Sequence, residues 1–156
     1  MQIRDFQLAD QPQYLSMSRA FYAGGAALHP VNEDNWQKTF ALCLQRHPFV
    51  RGLMFFEGDM PAGYALLSFT HSNESGGLVV LIEEVYVKAA FRGKQLATQF
   101  FMWLFETYGE QATRFRLEVC PNNARARHLY ERLGFTALAY EQMILDRTAI
   151  AGGTDR

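Results

Sequence analysis

The feature that most constrains the fold is a strongly apolar helix flanked by two strands. The segment Leu96–Tyr108 is apolar on nearly all sides, which is typical of a helix buried over most of its surface. Residues 78–87 before it and residues 115–119 after it are predicted strands. Because a helix crosses over between them, these two strands can lie as parallel neighbours in one sheet.

The rest of the chain predicts further helices and strands in a mixed arrangement. One predicted helix covers residues 11–22, with Asp10 as the expected N-cap, and another covers Glu33–Leu44. A polar, Gly-rich link over residues 72–77 is typical of a hairpin between two long strands. The remaining predicted strands cover residues 3–8, 50–56, 62–70 and 135–145. This order predicts a mixed α/β fold with helices packed on a largely antiparallel sheet.

The length and composition are those of one ordinary globular domain. The chain has 156 residues, of which 49% are apolar and 20% charged; we expect one domain over residues 1–150 and a flexible tail over 151–156. A net charge of −1 argues against a broad nucleic-acid interface. No apolar run approaches the ~20 residues that span a membrane, and the two cysteines show no metal-ligand spacing. We therefore expect a cytoplasmic protein with no metal, membrane or nucleic-acid partner.

The turn over residues 92–98, which leads into the apolar helix, has the features of an anion site. Gly93 leaves no bulky side chain in the way of a ligand, and Arg92 and Lys94 add positive charge. Free N–H groups and the helix dipole converge at the helix N-terminus, where Thr98 can add a hydroxyl. These features suit a pyrophosphate; the alternative is an ordinary strand-to-helix turn that contains a glycine.

Another helix is predicted to begin after residues 122 and 123. Both of these residues are asparagines, and either can be its N-cap. Gly134 is expected to end this helix in a left-handed conformation. Its apolar stripe consists of Ala126, Leu129, Tyr130 and Leu133. A tyrosine at helical spacing is usually a core residue, and that is the alternative to a functional role for Tyr130.

Together the two motifs resemble the cofactor-binding motifs of the GCN5-related N-acetyltransferases, the GNAT family. The first family motif has Gln or Arg, two residues, Gly, any residue, and then Gly or Ala. Arg92 and Ala97 match it, whereas Gln95 stands where the first Gly is usual. The second motif is matched at Asn123, Ala126, Leu129, Tyr130, Gly134 and Phe135. The resemblance covers residues 62–145.

The resemblance implies a GNAT-like acyl-CoA N-acyltransferase fold with acetyl-CoA as cosubstrate. In that fold the strands that correspond to residues 78–87 and 115–119 splay apart, and the pantetheine arm lies in the gap. The residues expected to bind the cosubstrate are Val85, Tyr86, Val87, Arg92, Gly93, Lys94, Gln95, Leu96, Ala97, Thr98, Asn123, Ala126 and Tyr130.

The resemblance also implies direct attack of a primary amine on the acetyl group. Tyr130 matches the family's general acid, which protonates the coenzyme A thiolate; its ordinary pKa of ~10 keeps it protonated at neutral pH. Glu83 and Glu84 are the candidate bases, and one must point inward unless a bulge intervenes. Glu83 is preferred by alignment to the Arg92 turn, and solvated or salt-bridged acids are the alternative to a catalytic role. Glu118 is a weaker candidate.

The acceptor amine is the least constrained part of the expected reaction. Phe21, Tyr22 and His29 lie where the family's first two helices cover the acceptor, although a lone histidine is more often structural. We expect a small-molecule amine, with a protein amine as the alternative, and a homodimer is compatible with the apolar helix. Two rival functions remain: a non-catalytic acyl-CoA-binding sensor or interaction module, and an enzyme for a larger acyl group.

Overall fold

The computed structural model describes residues 1–26 and 31–147, which divide into two compact units. The first unit is Met1–Asn123 and the second is Ala124–Arg156. The expected tail over residues 151–156 lies outside the described residues. In the part of the chain that is described, no helix is long and apolar enough to cross a membrane.

The first unit is built on a five-stranded mixed sheet with the strands in sequence order. Neighbouring strands are antiparallel except the last pair, which is parallel, as the crossover helix predicts. Mixed α/β architecture is thereby confirmed. The strands are β1 (Gln2–Asp5), β2 (Val50–Glu57), β3 (Met60–Ser72), β4 (Gly77–Val87) and β5 (Ala112–Leu117), and the helices are α1 (Gln11–Ala23), α2 (Glu33–Leu44) and α3 (Leu96–Tyr108).

The helices of this unit bury apolar side chains against both faces of the sheet. Successive residues of a strand point to opposite faces, so Met54 and Phe55 of β2 contribute to different parts of the core. Met54 belongs to the cluster that α1 and α2 form over one face, together with Tyr14 and Phe40. The ring of Phe55 instead lies 5.2 Å from that of Phe100 in α3.

The observed strands depart most from the predicted ones at three places. The first strand stops at Asp5 rather than residue 8, because a short 3₁₀ helix begins at Leu8. The strand predicted over residues 115–119 lies earlier, at Ala112–Leu117. The strand predicted over residues 135–145 is wrong: residues 135–146 have no regular structure, and Met143 is 94% exposed. β-propensity alone does not make a strand, which also needs a paired neighbour and a packed face.

The second unit contains α4 (Ala124–Arg132), which ends as predicted at a glycine. Gly134 has φ of 93°, a conformation that L side chains rarely adopt. Around it, the N–H of Phe135 donates to the carbonyl of Tyr130 at 3.0 Å and the N–H of Gly134 donates to that of Glu131 at 3.0 Å. These bonds satisfy carbonyls that the end of the helix would otherwise leave without partners.

Candidate active site

A bulge in β4 separates the two candidate acids. Leu66 of β3 pairs with Glu84, whereas the next β3 residue, Leu67, pairs with Ile82, so Glu83 is the extra residue of the bulge. Glu83 is exposed, and its Oε1 accepts a bond of 2.6 Å from the Ser68 hydroxyl. Glu84 is only 8% exposed and is directed into the protein. A bulge does intervene, and one acid still points inward while the other faces solvent.

The buried carboxylate of Glu84 is held by two tyrosine hydroxyls. Tyr22, near the end of α1, donates a hydrogen bond to Oε1, and Tyr64 of β3 donates to Oε2 at 2.5 Å. The Ser18 hydroxyl donates to the Tyr64 oxygen at 3.3 Å. Burial raises the pKa of Glu84 above its ordinary range, and the hydroxyl donors offset part of that effect. The carboxyl group is thus poised to exchange a proton closer to neutral pH than an exposed glutamate.

Aromatic rings surround this carboxylate on the side of α1. The ring of Tyr22 stacks on that of Trp36 in α2, with centroids 5.4 Å apart and planes within 6°. Phe21 lies edge-on to Tyr86 of β4, with centroids 6.4 Å apart. Of the three residues expected at the acceptor, Phe21 and Tyr22 are therefore close to Glu84, and His29 lies outside the described residues.

The half of β4 that follows the bulge has one unpaired edge. β5 pairs with β4 only as far as the partners Ile82 and Leu117, and residues 84–87 continue with β3 alone on their other side. Within the described residues no strand pairs with the opposite edge at Val85–Val87. Such an edge is a template for main-chain hydrogen bonds.

The turn after β4 exposes backbone at the start of α3. Gly93 has φ of 82° and Gln95 has φ of 60°, and residues 92–95 are all exposed. Arg92 is fixed by its Nε, which donates to the Val87 carbonyl at 3.1 Å. Exposed N–H groups in positive-φ conformations, followed by a helix N-terminus, form a concave site for an anion. Gln95 holds the left-handed conformation at the position where glycine is usual.

Tyr130 lies in the second unit, where its environment suits a proton donor. Burial raises the pKa of Tyr130 above its ordinary value, and the phenol, already protonated at neutral pH, stays so. Its ring lies edge-on to that of Phe135, with centroids 6.0 Å apart. Of the other expected cofactor contacts, Ala126 shares α4 with Tyr130, and the N–H of Asn123 donates to the Cys120 carbonyl at 2.9 Å.

Two further acids of the first unit, Glu33 and Glu74, are held in ion pairs of their own. Glu33 forms an exposed ion pair with Arg19 at 2.7 Å, and Glu74 reaches Arg114 at 3.3 Å. In residues 1–26 and 31–147 no group of three or more His, Cys, Asp or Glu side chains is placed to hold a metal ion.

Sequence reasoning missed Tyr64 and Ser18 as members of the site. Tyr64 is 20 positions from Glu84 along the chain, and Ser18 is 46 positions from Tyr64. Both lie at ordinary core positions of a strand and a helix. No local pattern marks such contacts, because they depend on the bulge and on how α1 packs over β3.

The mixed sheet with its parallel last pair, and the basic turn that leads from β4 into α3, define the class of acyl-CoA N-acyltransferase folds. The family model described as the acetyltransferase (GNAT) family matches residues 13–135, and the chain belongs to that family. Among curated proteins, no sequence matches the chain.

Solved structures share the fold at low sequence identity. A possible acetyltransferase from Clostridium difficile 630 is 19% identical, with a TM-score of 0.77 and coverage of 93% of this chain and 96% of that one. AAC(6')-Iy, in complex with a coenzyme A bisubstrate analogue, is 17% identical, with a TM-score of 0.75 and coverage of 94% and 97%. A ribosomal-protein-alanine N-acetyltransferase from Brucella melitensis biovar Abortus 2308 is 17% identical, with a TM-score of 0.71 and coverage of 94% and 99%.

Proposed function

We propose that this chain transfers an acetyl group from acetyl-CoA to a primary amine, most simply that of a small molecule. The observation that carries the proposal is the order of three features along β4 and the turn after it. Its unpaired edge at Val85–Val87 runs from a buried carboxylate, Glu84, to an exposed turn at the start of α3. A single strand thus joins a proton acceptor, a backbone template and an anion site.

The described residues fit acetyl-CoA at two places. Residues 92–95 form an exposed turn with positive charge, and a Cβ at Gly93 would meet no atom within 4 Å. The residues proposed to bind the pyrophosphate are those of this turn and of the first turn of α3: Arg92, Gly93, Lys94, Gln95, Leu96, Ala97 and Thr98. The open edge of Val85–Val87 offers main-chain partners for the pantetheine amides and for the acetyl carbonyl. Bound acetyl-CoA would supply the acetyl group as a thioester. Asn123 and Ala126 are proposed as further contacts from the motif alone.

Glu84 is the base that the geometry favours over Glu83. An alkylamine with a pKa of ~10.4 is protonated at pH 7, and its deprotonation costs about 4–5 kcal/mol without assistance. A buried carboxylate with a raised pKa can take that proton directly or through water. Glu83, which is exposed and bonded to Ser68, has an environment closer to that of an ordinary surface acid.

Tyr130 is proposed as the general acid of the same reaction. Its phenol holds a proton at neutral pH because its ordinary pKa is ~10, and burial raises that pKa further. That proton would pass to the sulfur as the thiolate departs. This assignment follows from the match of Tyr130 to the second family motif.

The acceptor would meet the aromatic residues near Glu84, including Phe21 and Tyr22, with His29 as a further candidate. Two of the structural neighbours are named for amine acetylation: AAC(6')-IG from Acinetobacter haemolyticus is an aminoglycoside antibiotic 6'-N-acetyltransferase, and the Brucella protein is a ribosomal-protein-alanine N-acetyltransferase. These neighbours support both a small-molecule amine and a protein amine as acceptors.

A second candidate function is an acyl-CoA-binding module that does not turn over. The left-handed Gln95 favours it, because its backbone is strained at the position where the family motif has glycine. Isothermal titration with acetyl-CoA, followed by thiol release against a panel of amines, separates the two. Binding with amine-dependent thiol release supports the enzyme, binding with no release from any amine supports the module, and no binding overturns both.

A further inference from the structure

The two oxygens of the Glu84 carboxylate have separate tyrosine donors from different elements. Tyr22 of α1 donates to Oε1, and Tyr64 of β3 donates to Oε2. None of the ion pairs in the described part of the chain includes Glu84. The tyrosines therefore take the place that a cationic partner holds beside most buried carboxylates.

Both hydroxyls keep their protons and donate them to Glu84 in hydrogen bonds. Burial, followed by the neighbouring Glu84 carboxylate, raises the pKa of Tyr22 and of Tyr64 well above 10, so neither ionises near neutral pH. Ser18 donates to the Tyr64 oxygen, which satisfies the acceptor side of that hydroxyl. The two hydrogen bonds therefore run in one direction: Ser18 donates to Tyr64, and Tyr64 donates to Glu84.

Several other groups also act on the charge of Glu84. The Glu83 side chain faces solvent at the bulge, and its negative charge raises the pKa of Glu84. Tyr14 of α1 lies near enough for the Glu84 charge to raise its own pKa. Among the groups that face Glu84 from α1, β3 and β4, only the two donating tyrosines favour its ionised form.

We infer that Tyr22 and Tyr64 are positioning residues for Glu84: they hold its carboxylate as an anion in a buried place and fix which lone pairs face the acceptor amine or a water. The inference rests on the proposed function, in which Glu84 is the base. A carboxylate with four lone-pair sites and two donors keeps two sites for a further proton donor. Loss of either hydroxyl would free the carboxylate to rotate and would make its ionisation harder.

The consequence for pH is a shift of the acidic side of the activity profile. The base works only when it is ionised, so activity falls as pH drops through its pKa. A tyrosine hydroxyl that favours the anion lowers that pKa, and removing it raises the pKa. In Tyr64→Phe and Tyr22→Phe, we expect the acidic limb of kcat/KM to move upward by about one pH unit.

The experiment compares pH profiles of kcat/KM for the wild type, Tyr64→Phe, Tyr22→Phe and a control, Tyr108→Phe. The control also removes a hydrogen-bonded hydroxyl, because the Tyr108 oxygen accepts from Arg51 at 2.8 Å. That hydroxyl has no hydrogen bond to Glu84. Tyr22 is less buried than Tyr64, so its variant tests the inference if Tyr64→Phe does not fold. An upward shift in the two test variants alone is expected; an unchanged acidic limb in a folded, active Tyr22→Phe overturns the inference.

A second readout does not depend on activity. Infrared titration of isotope-labelled glutamate, with the band assigned by its loss in Glu84→Gln, reports the ionisation of this carboxyl directly. An inactive wild type whose Glu84 midpoint still rises in the tyrosine variants would refute the proposed reaction and support the positioning role. An unchanged midpoint would refute the positioning role even in an active enzyme.

Discussion

Gln95 carries a backbone cost that a single substitution can remove. Its φ of 60° lies in the left-handed region, which costs an L residue about 1–2 kcal/mol. Glycine avoids that cost but loses more conformational freedom on folding, by about 0.5–1 kcal/mol. We therefore expect Gln95→Gly to raise the free energy of unfolding by about 0.5–1 kcal/mol.

Urea denaturation measures this change against a matched control. Gln99→Gly places glycine inside α3, where it is expected to lower stability by about 1 kcal/mol. If the urea concentration at the unfolding midpoint of Gln95→Gly is at or below the wild-type value, the left-handed conformation is not a source of strain. The same variant tests whether the glycine usual at this position tightens acetyl-CoA binding.

Tyr130 is the residue whose hydroxyl should matter for turnover more than for binding. Replacing it by Phe keeps the ring against Phe135 and removes the proton donor. We expect kcat to fall by about 10²-fold, while the Kd for acetyl-CoA changes little. Steady-state kinetics and calorimetry check both values, with Tyr140→Phe as a control because Tyr140 is 69% exposed in the same unit. A kcat close to that of the control would rule out the acid role.

At the scale of elements, one ion pair joins β1 to the start of α1. Arg4 contacts both oxygens of Asp10, at 2.7 and 2.9 Å, and the N–H of Gln7 donates to the same carboxylate at 2.7 Å. Burial by itself raises the pKa of Asp10, but these bonds outweigh it and lower the pKa below its ordinary value. The side chain predicted to cap α1 thus fixes the preceding turn instead.

Asp10→Asn should therefore destabilise the fold in a pH-dependent way. Because the folded-state pKa is depressed, the carboxylate contributes stability above its unfolded pKa of ~3.9 and loses it as pH falls through the folded value. We expect a loss of about 1–3 kcal/mol at pH 7 that shrinks below pH ~4. Denaturation at several pH values checks this, with Glu33→Gln as the control because its pair with Arg19 is exposed. A loss that is constant with pH would contradict the assignment.

The elements that sequence could predict are those with local signals. Glu33–Leu44 and Leu96–Tyr108 were expected with the limits observed, since apolar spacing and flanking residues define a helix within its own length. The bulge at Glu83 could not be assigned, because it is visible only in the pairing of β3 with β4. The strand expected over residues 135–145 failed for a related reason: strand structure needs partners that are distant in sequence.

At the scale of the whole molecule, the crossover through α3 made the parallel pairing of β4 and β5 predictable. The separation of these two strands was expected only from the family resemblance, and the position where their pairing stops, after Ile82, was not predicted. Contacts between distant segments, such as Tyr64 with Glu84, had no signal in the sequence. The family match over residues 13–135 runs through both compact units and supports our proposal that residues 1–150 act as one domain.

The most direct test of the proposed reaction compares Glu84→Gln with Glu83→Gln in acetyl transfer from labelled acetyl-CoA, with the acetylated amine detected by mass spectrometry. The substitutions are chemically identical and adjacent, but one acid is buried among tyrosines and the other is exposed. We predict that Glu84→Gln lowers kcat/KM by about 10²-fold or more and that Glu83→Gln stays near the wild type. Full activity in a folded Glu84→Gln, or no product from the wild type with any amine, would contradict the account.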